Sequence, residues 1–182
     1  MQLPAVYLFC VQCNANSSKL HVVAAAASYR SPAYYCMLLV LYTPARSCQL
    51  LLLPAQTFRW GAYRVFLCSQ IIGPNMDILC WNVRGLNRQD RKDVVHQIVA
   101  ATRCHIACLQ ESKLSSLDQQ TAAYMGGFRL RSFVFKPATG VLGTRDGIVV
   151  LWNDDSITLT NCVMGEFHLS ADIEVKECST KF

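Results

Sequence analysis

The chain has 182 residues, 52% of them hydrophobic, and a formal charge of +5 from 17 basic and 12 acidic residues. That length allows one ordinary domain with an extension, and that hydrophobic share excludes a wholly disordered polypeptide. The charge is no general sign of a nucleic-acid partner, because residues 1–76 hold five basic residues and no acid while the remaining 106 hold twelve of each sign; a neutral domain still binds phosphate through a local patch or a metal.

Pro4, Pro32, Pro44 and Pro54 cut residues 1–75 into short apolar pieces with no sustained 3.6 or 2.0 period. We read this segment as an acid-free, apolar, poorly ordered leader upstream of a translation start at Met76, in preference to an organelle transit segment, which is more amphipathic. A secretory signal is disfavoured because Met1-Gln2-Leu3-Pro4 places no basic residue ahead of its apolar stretch. The turn signal Gly73-Pro74-Asn75 marks the boundary, so the expected units are residues 1–75 and 76–182. No apolar run reaches the roughly eighteen residues of a bilayer span, so no membrane partner is expected. Of the ten cysteines, Cys80 and Cys108 lie inside apolar runs and act as small hydrophobes. The set reads as mostly reduced, and the chain as intracellular, in nucleus or cytoplasm.

From Met76 onward the pattern becomes regular. Residues 77–83 predict a buried strand. Asn87 is the expected N-cap of a helix running to about Thr102, with Asp90 and Asp93 in its first turn. Val94, Val95, Ile98 and Val99 form its sheet-facing stripe, with Arg91, Lys92 and Gln97 opposite. His105–Gln110 is a second buried strand, Leu117–Tyr124 a short helix, and Phe128–Phe135 a strand after the Gly126-Gly127 turn. Three more strands are expected at 147–152, at 157–162 and across the alternating run 167–175.

Two strands joined by a helical crossover run parallel, so their carboxyl ends emerge at one sheet edge, where open α/β sheets bind ligands. The first strand ends at Asn82 and the second is followed by Glu111. A glutamate that ends a strand is ordinarily solvated, and asparagine is common where a strand becomes a turn; it is their pairing on parallel strand ends that marks a site. Glu111 is the expected metal ligand, since Mg²⁺ takes one or two carboxylates and keeps several waters. Arg84 and Lys113, just beyond these residues, are candidate phosphate contacts. Trp81 alternates out of register with Asn82 and reads as core.

Other motifs carry less. Cys10-Val11-Gln12-Cys13 and Cys104-His105-Ile106-Ala107-Cys108 only superficially resemble zinc half-sites. Asn16-Ser17-Ser18 matches a glycosylation acceptor but lacks a secretory signal to give it meaning. The spacing of Gly140, Gly143 and Gly147 fits no nucleotide-binding loop.

The segments Ile78-Leu79-Cys80-Trp81-Asn82-Val83-Arg84-Gly85-Leu86-Asn87 and Ile106-Ala107-Cys108-Leu109-Gln110-Glu111-Ser112-Lys113 resemble the opening motifs of the endonuclease/exonuclease/phosphatase superfamily. They are most similar to the apurinic-type endonuclease domain of plant LINE-type (non-LTR) retrotransposon polyproteins, a similarity that continues through Thr144–Trp152 and Gly165–Ala171. The resemblance implies an α/β fold, here the amino-terminal part of a two-sheet sandwich of the DNase I-like type, and Mg²⁺- or Mn²⁺-dependent cleavage of DNA phosphodiesters. It assigns Asn82 to the phosphate and metal waters and Glu111 to the metal. Asp146 departs from the pattern, since relatives tend to place a second glycine there. The family's Asp-x-Asn and Ser-Asp-His motifs are absent from the 182 residues, which implies a fragment inactive on its own. Half a sandwich exposes its core, so a complementing chain, or the leader itself, is expected to cover the open sheet. The competing reading is a non-catalytic nucleic-acid-binding module using Arg84, Lys113, Arg129 and Arg131. A small-phosphoester phosphatase remains a third.

Overall fold

The computed structural model describes residues 76–139, 146–166 and 168–176 in full, and 6–13, 19–25, 36–42, 48–51, 56–60 and 63–69 by backbone. The acceptor motif at 16–18, Gly140, Gly143, Thr144, Arg145 and Phe167 lie outside the described residues, as do the side chains of Cys10 and Cys13.

The element order after residue 76 is β7 (Asp77–Asn82), α1 (Gln89–Thr102), β8 (Ile106–Gln110), α2 (Gln119–Gly126), β9 (Ser132–Lys136), β10 (Ile148–Trp152), β11 (Ile157–Met164) and β12 (His168–Val175). Ahead of these come β1 (Val6–Cys13), β2 (Lys19–Ala25), β3 (Cys36–Tyr42), β4 (Cys48–Leu51), β5 (Gln56–Trp60) and β6 (Tyr63–Ser69). Two six-stranded sheets result, ordered β5-β6-β7-β8-β10-β9 and β11-β12-β2-β1-β3-β4.

As the crossover requires, β7 and β8 are parallel, with Asn82 beside Gln110. Strands β10 and β9 continue the sheet antiparallel. Alternation then sorts the side chains of this sheet onto two faces. Leu79, Trp81, Ala107, Leu109, Val149 and Leu151 pack under the helices with Val95, Ile98, Val99, Ala122 and Met125. Ile78, Cys80, Ile106, Cys108, Ile148 and Val150 face the other way, onto Ile157, Leu169 and Ile173 of the second sheet. The layers are helix, sheet, sheet. Fully burying a Leu or Ile side chain contributes about 1.5–3 kcal/mol, and each face of β8 contributes to a separate cluster. Trp81, 2% exposed, is core as expected.

Two expectations need correction. Asn87 is not the N-cap of α1: Arg88 occupies that place without a side-chain cap bond, because the Asn87 amide is committed to the Lys113 carbonyl, 2.9 Å away. Strand β9 starts at Ser132 and not Phe128, because the chain leaves α2 through Gly127 and a Leu130 N–H to Gly126 carbonyl bond, which leaves Phe128 on the surface, 88% exposed. Ahead of Met76, the six strands β1–β6 lie between residues 6 and 69. Apolar pieces such as Cys36–Tyr42 are strand-length, and continuous apolar runs carry no alternation for a period search to find. Strand β2 pairs with β12 from His168 beside Ala25 to Glu174 beside Lys19, and β6 pairs with β7, so the edges of β12 and β7 that residues 76–182 leave open are taken by this chain's own strands.

Candidate functional site

The carboxyl ends of β7 and β8 and the start of β10 meet at one edge, laced together by main-chain hydrogen bonds. Val83 N–H donates to the Gln110 carbonyl at 3.0 Å, Gly85 N–H to Glu111 at 2.8 Å and Leu86 N–H to Ser112 at 2.8 Å. On the far side Ser112 N–H donates to Gly147 at 2.9 Å and Lys113 N–H to Asp146 at 3.0 Å. Serving both neighbours bends the backbone. Arg84, Glu111, Lys113 and Asp146 all have φ between +52° and +63°, four of the six non-glycine residues with positive φ among those described. Each costs on the order of 1–2 kcal/mol, so strain is concentrated at this edge, a pattern typical of functional loops. Asp146, where the resemblance implies a glycine, is one of the four.

Within this frame Asn82 Nδ2 donates to Glu111 Oε1 at 2.6 Å. The amide's oxygen accepts from the Arg84 N–H at 3.1 Å, so both ends of the Asn82 amide are fixed and one carboxylate oxygen is held in place. Lys113 lays its methylene stem over Gly85, where a Cβ would sit 3.6 Å from Lys113 Cδ. Asn82, Glu111, Arg84 and Lys113 are thus brought to one edge, Arg84 exposed and Lys113 half-buried. Ser112 between them is fully buried and its Oγ has no hydrogen-bond partner.

Two other candidate cations are elsewhere. Arg131 binds Asp154 and Asp155 at 3.2 and 2.6 Å, beside Trp152 and therefore at the opposite sheet edge. The charge of Arg129 acts on Cys104 and His105, ahead of β8. Neither joins Arg84 and Lys113, which removes half of the basic surface expected for a binding module. Cys104 packs in the helix-side core and Cys108 in the core between the sheets. Burial pushes the Cys104 thiol up to about 11, so it is neutral at ordinary pH.

Residues 79–163 match the model of the Endonuclease/Exonuclease/phosphatase family. This segment runs from β7 into β11 and contains both strand ends of the site. The match is to a nuclease- or phosphatase-type family, and two sheets with two helices in mixed α/β order are consistent with a partial fold of the DNase I-like kind. No curated protein matches the chain. The endonuclease/exonuclease/phosphatase family is generally dependent on a divalent metal, and the donors at the site bear on which metal fits. Among the described residues no three His, Cys, Asp or Glu side chains come together, which does not suit a closed zinc centre. A hard cation that keeps most of its waters needs only one or two carboxylates. Glu111 supplies one, with Oε1 steadied by Asn82.

Three contributors were not found by sequence reasoning. Gly147, at the sequence level only the first residue of an apolar strand, lets β10 close against Ser112 through its carbonyl and its lack of a side chain. Asn87 braces the Lys113 carbonyl across 26 residues. Lys136 ends β9 at the same edge, buried to 6% exposure. Only the folded chain reveals the last two, Asn87 by its side-chain bond and Lys136 by strand register.

Proposed function

We propose that Asn82 and Glu111 form the metal-and-phosphate half of a DNA phosphodiesterase site, of the kind found in LINE-type retroelement endonucleases. The observation that carries this is the 2.6 Å bond from Asn82 Nδ2 to Glu111 Oε1 across two parallel strand ends, within the segment that matches the family. Glu111 is the residue that would hold Mg²⁺ or Mn²⁺, and the ion, when bound, would supply charge neutralisation at a phosphate. Asn82 fixes the orientation of the carboxylate. Arg84, on a backbone turned outward at φ +54°, and Lys113, packed over Gly85, are placed to meet phosphate oxygens, the first with a planar fork and the second as a point charge. The Asp-x-Asn and Ser-Asp-His motifs implied by the resemblance are absent from the 182 residues. The residues at this edge supply phosphate and metal binding; a general base, whose contribution is roughly 10²–10⁴ in rate, is not among them.

The test is duplex DNA binding by the full chain with and without Mg²⁺, beside conversion of supercoiled plasmid to its nicked form. Mg²⁺ should tighten binding roughly tenfold, the size of one charge-assisted contact, in the parent and not in Glu111→Ala, and neither chain should nick. Binding indifferent to Mg²⁺ would refute the site. Nicking that depends on Glu111 would show that another group acts as base.

A further inference from the structure

Four consecutive carbonyls at the end of β8 are taken by the loop that follows β7. Those of Gln110, Glu111 and Ser112 accept from the main-chain N–H groups of Val83, Gly85 and Leu86. The fourth, that of Lys113, accepts from the Asn87 side chain, Nδ2 to O at 2.9 Å. An asparagine amide thus stands in for the backbone rung that would continue the ladder. The adjacent helix goes without it: α1 begins behind Arg88 with no side-chain cap bond, although asparagine is among the best capping residues. Lys113 is held on its other side as well, its N–H donating to the Asp146 carbonyl at 3.0 Å and its stem lying over Gly85, with Cδ 3.6 Å from where a Cβ would be. Both peptide groups that flank the Lys113 Cα are therefore anchored, on a backbone at φ +54° that a lysine does not favour by itself.

We propose that Asn87 is a positioning residue for phosphate binding, acting through Lys113. Bonds on both sides of Lys113 fix its φ and ψ, and with them the direction in which its side chain leaves the loop, over Gly85, before any ligand arrives. A lysine on a free loop loses rotamer and loop freedom when it meets a phosphate; one whose base is already held loses less, and the difference appears as affinity. Without the Asn87 amide the peptide group after Lys113 is free to turn, which relaxes the left-handed backbone and lifts the stem from Gly85. Asn87 carries no charge and releases no counterion of its own, so its effect on binding passes through the lysine. The inference rests on the reading of Lys113 as a phosphate contact.

The experiment is a double-mutant cycle on binding of a short labelled DNA duplex by the full chain, in chelator so that no divalent ion contributes. Lys113→Met establishes the lysine first: it should lower the slope of log K against log salt concentration by about 0.9, the share of one phosphate contact. Asn87→Ala should then weaken binding roughly fivefold in the parent, the size of one hydrogen bond, and leave binding unchanged in the Lys113→Met background. A merely structural role would weaken both backgrounds alike. Equal loss in both, or no loss in a folded Asn87→Ala chain, overturns the proposal and leaves Lys113 a phosphate contact. A Lys113→Met chain with the parent slope, or a parent chain that does not bind, overturns the reading of Lys113 and the proposal with it. Asn87 is exposed, so its variants should fold; Asn87→Ser, which also lacks the amide, repeats the cycle if Asn87→Ala does not. A chain that folds with neither substitution would show a role in the whole fold, and that too overturns a role confined to Lys113.

Discussion

Gly147→Ala tests the way β10 is seated against the site. The new Cβ would lie 2.5 Å from Ser112 Oγ, 3.1 Å from Lys113 N and 3.3 Å from the Ala138 Cβ, at a residue whose φ is +86°. The left-handed backbone alone costs an alanine about 1–2 kcal/mol. Ser112 is fully buried and cannot swing into solvent, and Lys113 N is main chain tied to Asp146, so relief requires moving the loop, an overpacking cost of about 1–3 kcal/mol. The sum, roughly 2–5 kcal/mol, is a large share of the 5–15 kcal/mol by which domains are stable. Urea unfolding of the full chain followed by tryptophan fluorescence measures it as a lower midpoint at unchanged slope. Ser112→Ala removes the nearest atom and, because that hydroxyl has no partner, should itself be close to neutral. Combined with Gly147→Ala it should return about 1–2 kcal/mol, a coupling that a double-mutant cycle isolates. A Gly147→Ala chain within about 0.5 kcal/mol of the parent, or a coupling of zero, would refute the account of how this edge is packed.

Two further outcomes concern pH. Cys104 is buried with its pKa raised from 9.0 to about 11, chiefly by desolvation. Its contribution to stability is therefore complete below about pH 9 and is lost as pH rises toward 11, on the order of 3 kcal/mol at 1.36 kcal/mol per unit; urea midpoints measured from pH 8 to 11 should fall for the parent and fall less for Cys104→Ala. His105 is held below its ordinary value, first by burial and then by Arg129, against an opposing pull from Asp77. As the neutral ring is favoured, accepting the Asp77 N–H at Nδ1, stability should decline as pH falls below about 6.5. The His105→Asn chain should lack that decline, and an identical acid limb in both chains would count against it.

The parallel pair β7–β8, the apolar stripe of α1 and the burial of Trp81 were legible because each depends on local period or on one handed crossover. Asn82 and Glu111 were legible for the same reason, their neighbourhood following from parallelism alone. Asn87 was misread because its side chain has two possible partners, a nearby helix end and a carbonyl 26 residues away, and only the folded chain decides between them. Lys136 was invisible because its place at this edge needs two antiparallel registers, β8–β10 and β10–β9, neither fixed by a short turn. The strands before residue 70 carry no alternation to read, and their pairing with β12 and β7 is a long-range choice that composition does not encode. Arg129 and Arg131 show the converse error: two arginines two residues apart looked like surface charge for a ligand, but Arg131 is committed to Asp154 and Asp155.

All five residues of β8 are buried, and they divide between two clusters. The strand is a party wall, so an insertion of one residue within it could not be absorbed on either side: it would hand the cysteine face to the helices and the leucine face to the second sheet, and at the same stroke turn Glu111 away from Asn82. Changes of side chain at the exposed ends of the molecule are survivable in ways that a shift of frame along these five residues is not. A lineage of such chains should therefore drift by substitution and tolerate length changes in its loops long before it tolerates one here.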